Sequence, residues 1–204
     1  MIRIVDYGLG NINAFLTLYK RLGIEAASAS NPAALDDATH LILPGVGAFD
    51  HAIELLEGSG LRPKLEEMVH ERKIPVLGIC VGMQILANSS EEGKLPGLGW
   101  VPGHVRSFRS TEASSHLPMP HMGWNDVMPT TTNPLFTASP PDQRFYFLHS
   151  FYFECADAAH VSATADYGVK FACSVSAGHI HGVQCHPEKS HGYGMALLKN
   201  FANA

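Results

Sequence analysis

The stretch PVLGICVGMQIL, residues 75–86, decides the fold. Pro75–Ile79 is a short apolar run of the kind that makes a buried strand, and beyond it Met83 and Leu86 stand three apart, placed to share one helical face. Between the two patterns lies Cys80, with Gly78 and Gly82 two residues away on either side. Paired glycines permit a tight strand-to-helix turn that projects a side chain from the sheet, the cysteine counterpart of the G-x-S-x-G elbow. Peptide N–H groups opening the next helix face the same point, where they stabilise a thiolate or an oxyanion. A lone cysteine is otherwise a small buried filler, so the elbow gains meaning only beside a base.

Upstream, IRIV at 2–5 precedes Ile12, Phe15, Leu16, Tyr19 and Leu22, spaced by threes and fours, and the run His40–Leu43 precedes PGVG at 44–47. Strands alternating with helices need right-handed crossovers, so residues 1–90 predict a parallel sheet. Downstream the pattern changes. FYFLHSFYF at 145–153, His160–Ala165, Phe171–Val175 and His179–Gln184 follow at short intervals and predict antiparallel strands, and Met195, Leu198 and Phe201 predict a closing helix over Gly192–Phe201. The fold class is therefore α/β: a mostly parallel central sheet flanked by helices on both faces, with an antiparallel extension in the second half. Sites in such sheets lie at the carboxyl ends of strands, where both PGVG and the Cys80 turn fall.

With 204 residues, 46% of them hydrophobic and 16% charged, the chain is globular, and no linker-like run divides it, so one domain spanning 1–204 is expected. A net charge of -5 excludes the basic footprint that nucleic acid requires. The N-terminus lacks a leader pattern and no apolar run reaches membrane-spanning length, which predicts a soluble, cytoplasmic protein. Cys80, Cys155, Cys173 and Cys185 show no paired spacing and are expected to be free thiols.

The candidate base stands in Cys185-His186-Pro187-Glu188. Residues two apart in an extended segment point to the same side, and Pro187 biases His186 towards extension, so Glu188 can hold one ring nitrogen while the other serves Cys80. A metal site competes, because His179, His181, Cys185, His186 and His191 crowd into thirteen residues. Zinc sites use tighter pairings, so no metal is expected, and His179 and His181 read as decoration of one strand face. Glu188 would be merely a solvated carboxylate if His186 pointed away from Cys80.

Six ordered motifs carry a resemblance over nearly the whole chain: IVDYGLGN at 4–11, LILPGVGAF at 41–49, GICVGMQIL at 78–86, PHMGWN at 120–125, FYFLHSFY at 145–152 and GVQCHPEKS at 182–190. The sequence resembles the class I glutamine amidotransferases, and within them the glutaminase subunits of imidazole glycerol phosphate synthases. That resemblance implies a cofactor-free hydrolysis of glutamine in which Cys80 forms a γ-glutamyl thioester, His186 shuttles the proton and Glu188 orients His186. It also implies an oxyanion region at Gly45, Val46 and Gly47 with the N–H of Val81, and glutamine-binding positions at Gln84, Ser150 and Phe151. The implied partner is a (β/α)8-barrel cyclase subunit, in a heterodimer across which ammonia passes, with Asn11, His121, Trp124, Tyr146 and Lys189 at or near the docking surface.

Each interface residue also has a plainer reading. Trp124 and Tyr146 could be core aromatics and Lys189 a solvated charge; a Gly-Trp-Asn turn favours interface for Trp124. Cys185 and Val81 replace the Phe and Leu common in the family. The segments 89–100 and 189–201 resemble a paralogous branch that supplies ammonia to a sugar-modifying synthase of surface-polysaccharide biosynthesis. Outside the family, the alternatives are a freestanding cysteine hydrolase and a catalytically dead binding module.

Overall fold

Three apolar runs of the first half, and the unforeseen stretch Ala26–Ala29, become parallel strands in a computed structural model that describes residues 1–130, 133–137 and 142–204. They are β1 (Ile2–Val5), β2 (Ala26–Ala29), β3 (His40–Gly45) and β4 (Val76–Cys80), paired in the order β2-β1-β3-β4. Ile4, Leu41, Ile42 and Leu77 are fully buried, as expected of strands covered on both sides. The crossovers carry α1 (Ile12–Leu22), α2 (Phe49–Gly58) and α3 (Arg62–Glu66). Helix α1 starts where the Asn11 side chain accepts the Ala14 N–H and stops at Gly23, whose φ of +69° suits a left-handed C-cap. Its Phe15 and Tyr19, four apart, turn inward.

After Cys80 come α4 (Val81–Gln84), β5 (Ser89–Ser90), β6 (Gly103–Ser107), α5 (Glu112–Ser115), β7 (His121–Asp126), β8 (Met128–Pro129), β9 (Arg144–His149) and β10 (Phe151–Cys155). The chain closes with β11 (Val161–Asp166), β12 (Lys170–Ala177), β13 (Ile180–Val183) and α6 (His191–Phe201). The main sheet continues from β4 through β13, β12, β10 and β6 to β5, with β11 beside β12 and β8 beside β11; β7 and β9 pair separately. The parallel core and the antiparallel extension match the expected class. Among the described residues, no helix is long and apolar enough to cross a membrane.

Three local expectations are corrected. The apolar run 145–153 is two strands, not one: the chain leaves the β7–β9 ribbon at Ser150 and enters the main sheet as β10. Strand β13 is antiparallel to β12 but parallel to β4, with Val183 opposite Ile79. It thereby ends beside the end of β4, and residues 184–186 emerge next to Cys80. Helix α4 is a single turn, although Met83 and Leu86 are both fully buried as their spacing required.

Candidate active site

Backbone geometry sets the position of Cys80. Its φ of +56° and ψ of -114° lie where a residue with a Cβ is strained, at a typical cost of ~1–3 kcal/mol. Neighbouring glycines make the turn possible by leaving room for it. A Cβ on Gly82 would meet the Leu43 carbonyl oxygen at 1.9 Å, one on Gly78 would meet the Gly82 carbonyl oxygen at 2.5 Å, and one on Gly45 would meet the Gly82 nitrogen at 2.5 Å. The loop after β1 supports the same region, since the Tyr7 hydroxyl donates to the Pro44 carbonyl at 2.7 Å.

His186 is extended (φ -104°, ψ 92°), as the following proline predicts. Glu188 differs from expectation: Pro187–Lys189 form a 3-10 turn, so the carboxylate reaches the ring by turning back rather than along an extended strand. The imidazole Nδ1 lies 2.8 Å from Glu188 Oε1, and both side chains are buried. The ring lines the same cavity as the Cys80 sulfur. With Nδ1 engaged by the carboxylate, Nε2 is the ring nitrogen left to serve the thiol. Burial alone would lower the His186 pKa, but the hydrogen bonds and charges of Cys80 and Glu188 hold it raised. The backbone is fixed as well: His186 N–H donates to the Tyr146 carbonyl at 2.8 Å, while Ser190 Oγ donates to the His186 carbonyl at 2.7 Å and accepts the Tyr146 N–H at 3.0 Å.

Sulfur and ring open into one cavity of about 300 Å³, which Val46, Gly47, Val81, Gln84, Ser150 and Phe151 also line. Of the residues expected around a substrate, Gly45 alone is absent from its wall, because it packs behind the elbow. Leu148, His149, Pro120, Glu92 and Lys189 complete the lining. Glu92 was not foreseen. Burial raises its pKa, and its Oε2 accepts the Phe49 N–H at 2.9 Å. A carboxylate and a lysine on one small cavity suit a zwitterion, and the nearby thiol, imidazole and carboxylate suit acyl transfer.

The remaining thiols are poor competitors for such chemistry. Burial pushes Cys155 up to about 12, and raises Cys173 and Cys185 as well. His181 hydrogen-bonds Ser176 on the neighbouring strand, and His179 the Val69 carbonyl, away from the cavity. Among the described residues, no three His, Cys, Asp or Glu side chains gather as a metal would need.

The expected docking residues divide. Trp124 is 40% exposed and stacks on His191 at 5.5 Å, although it sits in β7 and not in a turn. Tyr146 lies opposite it on β9, with Lys189 5.6 Å above the ring, and Asn11 is exposed while capping α1. His121 contradicts the expectation: it is 3% exposed, stacks on Phe147 and Tyr167, and bonds His149 at 2.9 Å. Strand alternation sends 121 inward and Met122 and Trp124 outward.

A sequence model of the family described as glutamine amidotransferase class-I matches residues 4–204. The chain is 58% identical over 202 residues to the imidazole glycerol phosphate synthase subunit HisH of Bdellovibrio bacteriovorus, covering 99% of each. It is 48% identical to the subunit of the same name from Leptospira interrogans, covering 100% of each. Among solved structures, a glutamine amidotransferase aligns with a TM-score of 0.77 at 18% identity, over 100% of this chain and 99% of that one. PurLQS from Thermotoga maritima aligns with a TM-score of 0.73 at 19% identity, over 99% and 97%. At those identities the two structures speak for the fold alone.

Proposed function

Because the chain belongs to the class I glutamine amidotransferases, we propose that it is the glutaminase subunit of an imidazole glycerol phosphate synthase, working through Cys80, His186 and Glu188. The single observation that carries the mechanism is a buried imidazole, bonded to the Glu188 carboxylate, that lines one cavity with the Cys80 sulfur.

In the first half-reaction the Cys80 sulfur, its proton already held on His186 Nε2, attacks the side-chain amide carbon of glutamine as a thiolate. The tetrahedral intermediate collapses as His186 returns that proton to the leaving nitrogen. Ammonia departs and a γ-glutamyl thioester remains. Water then attacks the thioester with His186 as base, the C–S bond breaks, the sulfur leaves as thiolate beside the protonated ring, and glutamate departs. Glu188 keeps Nδ1 protonated and the ring in register. Peptide N–H groups of Val46, Gly47 and Val81, on the cavity wall, serve the developing oxyanion.

Substrate orientation follows from the lining. Both N–H bonds of Gln84 are spent, on the Phe151 carbonyl at 3.1 Å and Gln184 Oε1 at 3.0 Å, so this side chain offers only its oxygen to a substrate N–H. Glu92 is placed for the α-ammonium group, and Ser150 and Phe151 border the opposite side of the ligand. The ammonia serves a partner synthase subunit, a (β/α)8-barrel cyclase, docked on the exposed face of the β7–β9 ribbon through Trp124 and Tyr146, with Asn11 and Lys189 at its margin. All 204 residues act as one cytoplasmic domain.

Cys80→Ala in the complex with the cyclase subunit tests this directly. Glutamine-dependent synthesis falls by at least ~10³-fold while synthesis from added ammonium continues. Equal loss of both activities overturns the assignment of Cys80 to ammonia release. Robust glutamine hydrolysis without any partner, or stimulation only by a sugar-nucleotide synthase, overturns the proposed acceptor.

A further inference from the structure

The Phe151 carbonyl accepts two hydrogen bonds, and that fact fixes the direction of every bond in a chain crossing the back of the cavity. Gln84 Nε2 lies 3.1 Å from it and His149 Nδ1 2.7 Å from it. A carbonyl only accepts, so both neighbours must be donors. On one side this orients the Gln84 amide, whose second N–H reaches Gln184 Oε1 at 3.0 Å; the Gln184 amide is thereby oriented in turn, and its Nε2 points at the Cys80 sulfur, 3.8 Å away. On the other side, His149 with its proton on Nδ1 has a bare Nε2, which must accept from His121 Nδ1 at 2.9 Å. His121 Nε2 is then bare and accepts from Asn125 Nδ2 at 3.2 Å.

The far end gives the same answer independently. Asn125 Nδ2 also donates to the Asp166 carbonyl at 2.8 Å, and Asn125 Oδ1 accepts the Asp126 N–H, so that amide can stand only one way. Burial lowers the pKa of His149 to about 3 and of His121 to about 4, which keeps both rings neutral and each in a single tautomer. Gln184 is itself fully buried.

We infer that Gln184 is a further residue of the reaction centre, holding an amide N–H on the Cys80 sulfur in an orientation imposed through Gln84, the Phe151 carbonyl and the His149–His121 pair. The inference rests on the reading of Cys80 as the nucleophile. A donor on sulfur strengthens when the sulfur is anionic, and it opposes the Leu148 carbonyl, which faces the same sulfur from 4.0 Å. The other ionisable groups near the sulfur are His186, which lines the same cavity with its Nδ1 bound to Glu188, Tyr7, whose hydroxyl is committed to Pro44, and Cys185, held as a neutral thiol by burial. His149 and His121 are positioning residues: they touch no reacting atom and act through the carbonyl they share with Gln84.

The test is the rate of alkylation of Cys80 by iodoacetamide, read peptide by peptide, in the wild type, Gln184→Glu and Gln184→Met at pH 7 and pH 10. Glu keeps the acceptor for Gln84 but turns an acceptor towards sulfur; Met removes both functions without adding charge. The expected result is a loss of about tenfold at pH 7 in both variants, with the gap closing at pH 10. Equal rates at pH 7 overturn the inference. Should both variants fail to fold, the wild type still decides: the Gln184 side-chain amide resonance moves when Cys80 is alkylated, and an unmoved resonance overturns the inference. If alkylation responds as expected while Cys80→Ala still hydrolyses glutamine, the donor assignment stands and the catalytic reading of Cys80 falls.

Discussion

The two walls that meet at the cavity are built from different materials. The sulfur's wall is backbone: a strained residue at φ +56°, cradled by glycines whose missing Cβ atoms leave no spare space. The imidazole's wall is side chain: a ring held at 2.8 Å by Glu188 and a turn strapped to β9 by Ser190. A wall made by close backbone approach tolerates no added methyl group, whereas a wall made by directional bonds tolerates volume and fails on polarity.

Gly82→Ala tests that contrast most severely. With 1.9 Å to the Leu43 oxygen, the methyl forces α4 away from β3, and urea denaturation should show a loss of about 4 kcal/mol or no folded protein. A loss below ~1 kcal/mol would mean that the elbow is pliable and the contrast false. Glu188→Gln keeps volume and changes only polarity. Glutamine turnover should fall by about 10²-fold or more, with little change in fold by circular dichroism.

Ser190→Ala is milder, since it removes two hydrogen bonds at the strap and should cost about 1–2 kcal/mol in denaturation with less than tenfold loss of turnover. The smallest effect is in pH dependence. The His186 pKa is raised above its unfolded value of about 6.5, so its contribution to stability is complete below that value and is lost as pH climbs through the folded one. The difference in melting temperature between wild type and Glu188→Gln should therefore be full near pH 6 and shrink at alkaline pH. A gap that widened there would contradict the imidazolium's stabilisation by its partners.

The sulfur's wall was legible in the sequence because short-range pattern determines it: an apolar run, flanking glycines and a helix start occupy adjacent positions. His186 and Glu188 were legible as types, but their meeting with Cys80 depends on β13 entering the sheet parallel to β4, a long-range pairing that composition at 179–184 does not reveal. Strand β7 misled for a sharper reason. Its alternation is inverted, with Met122 and Trp124 outward and His121 inward, and a buried histidine is readable only once its partner His149 is known.

Glu92 and Gln184 were missed because neither carries a local signal of its role. The segment 89–100 that suggested a paralogous branch pins its loop to the start of α2, where Asp50 accepts the Lys94 and Leu95 N–H groups and Glu92 accepts that of Phe49. Gly93 is required there, since a Cβ would stand 1.9 Å from Asp50 Oδ1.

The central claim is that one thiol of four, paired with one imidazole, meets glutamine. Mass spectrometry after treatment with a thiol-directed diazo-ketone analogue of glutamine tests it most directly, in the wild type and in His186→Ala. The account predicts a single adduct on Cys80 that forms far more slowly without the ring, and none on Cys155, Cys173 or Cys185. An adduct on another cysteine, or labelling of Cys80 at an undiminished rate in His186→Ala, would contradict it.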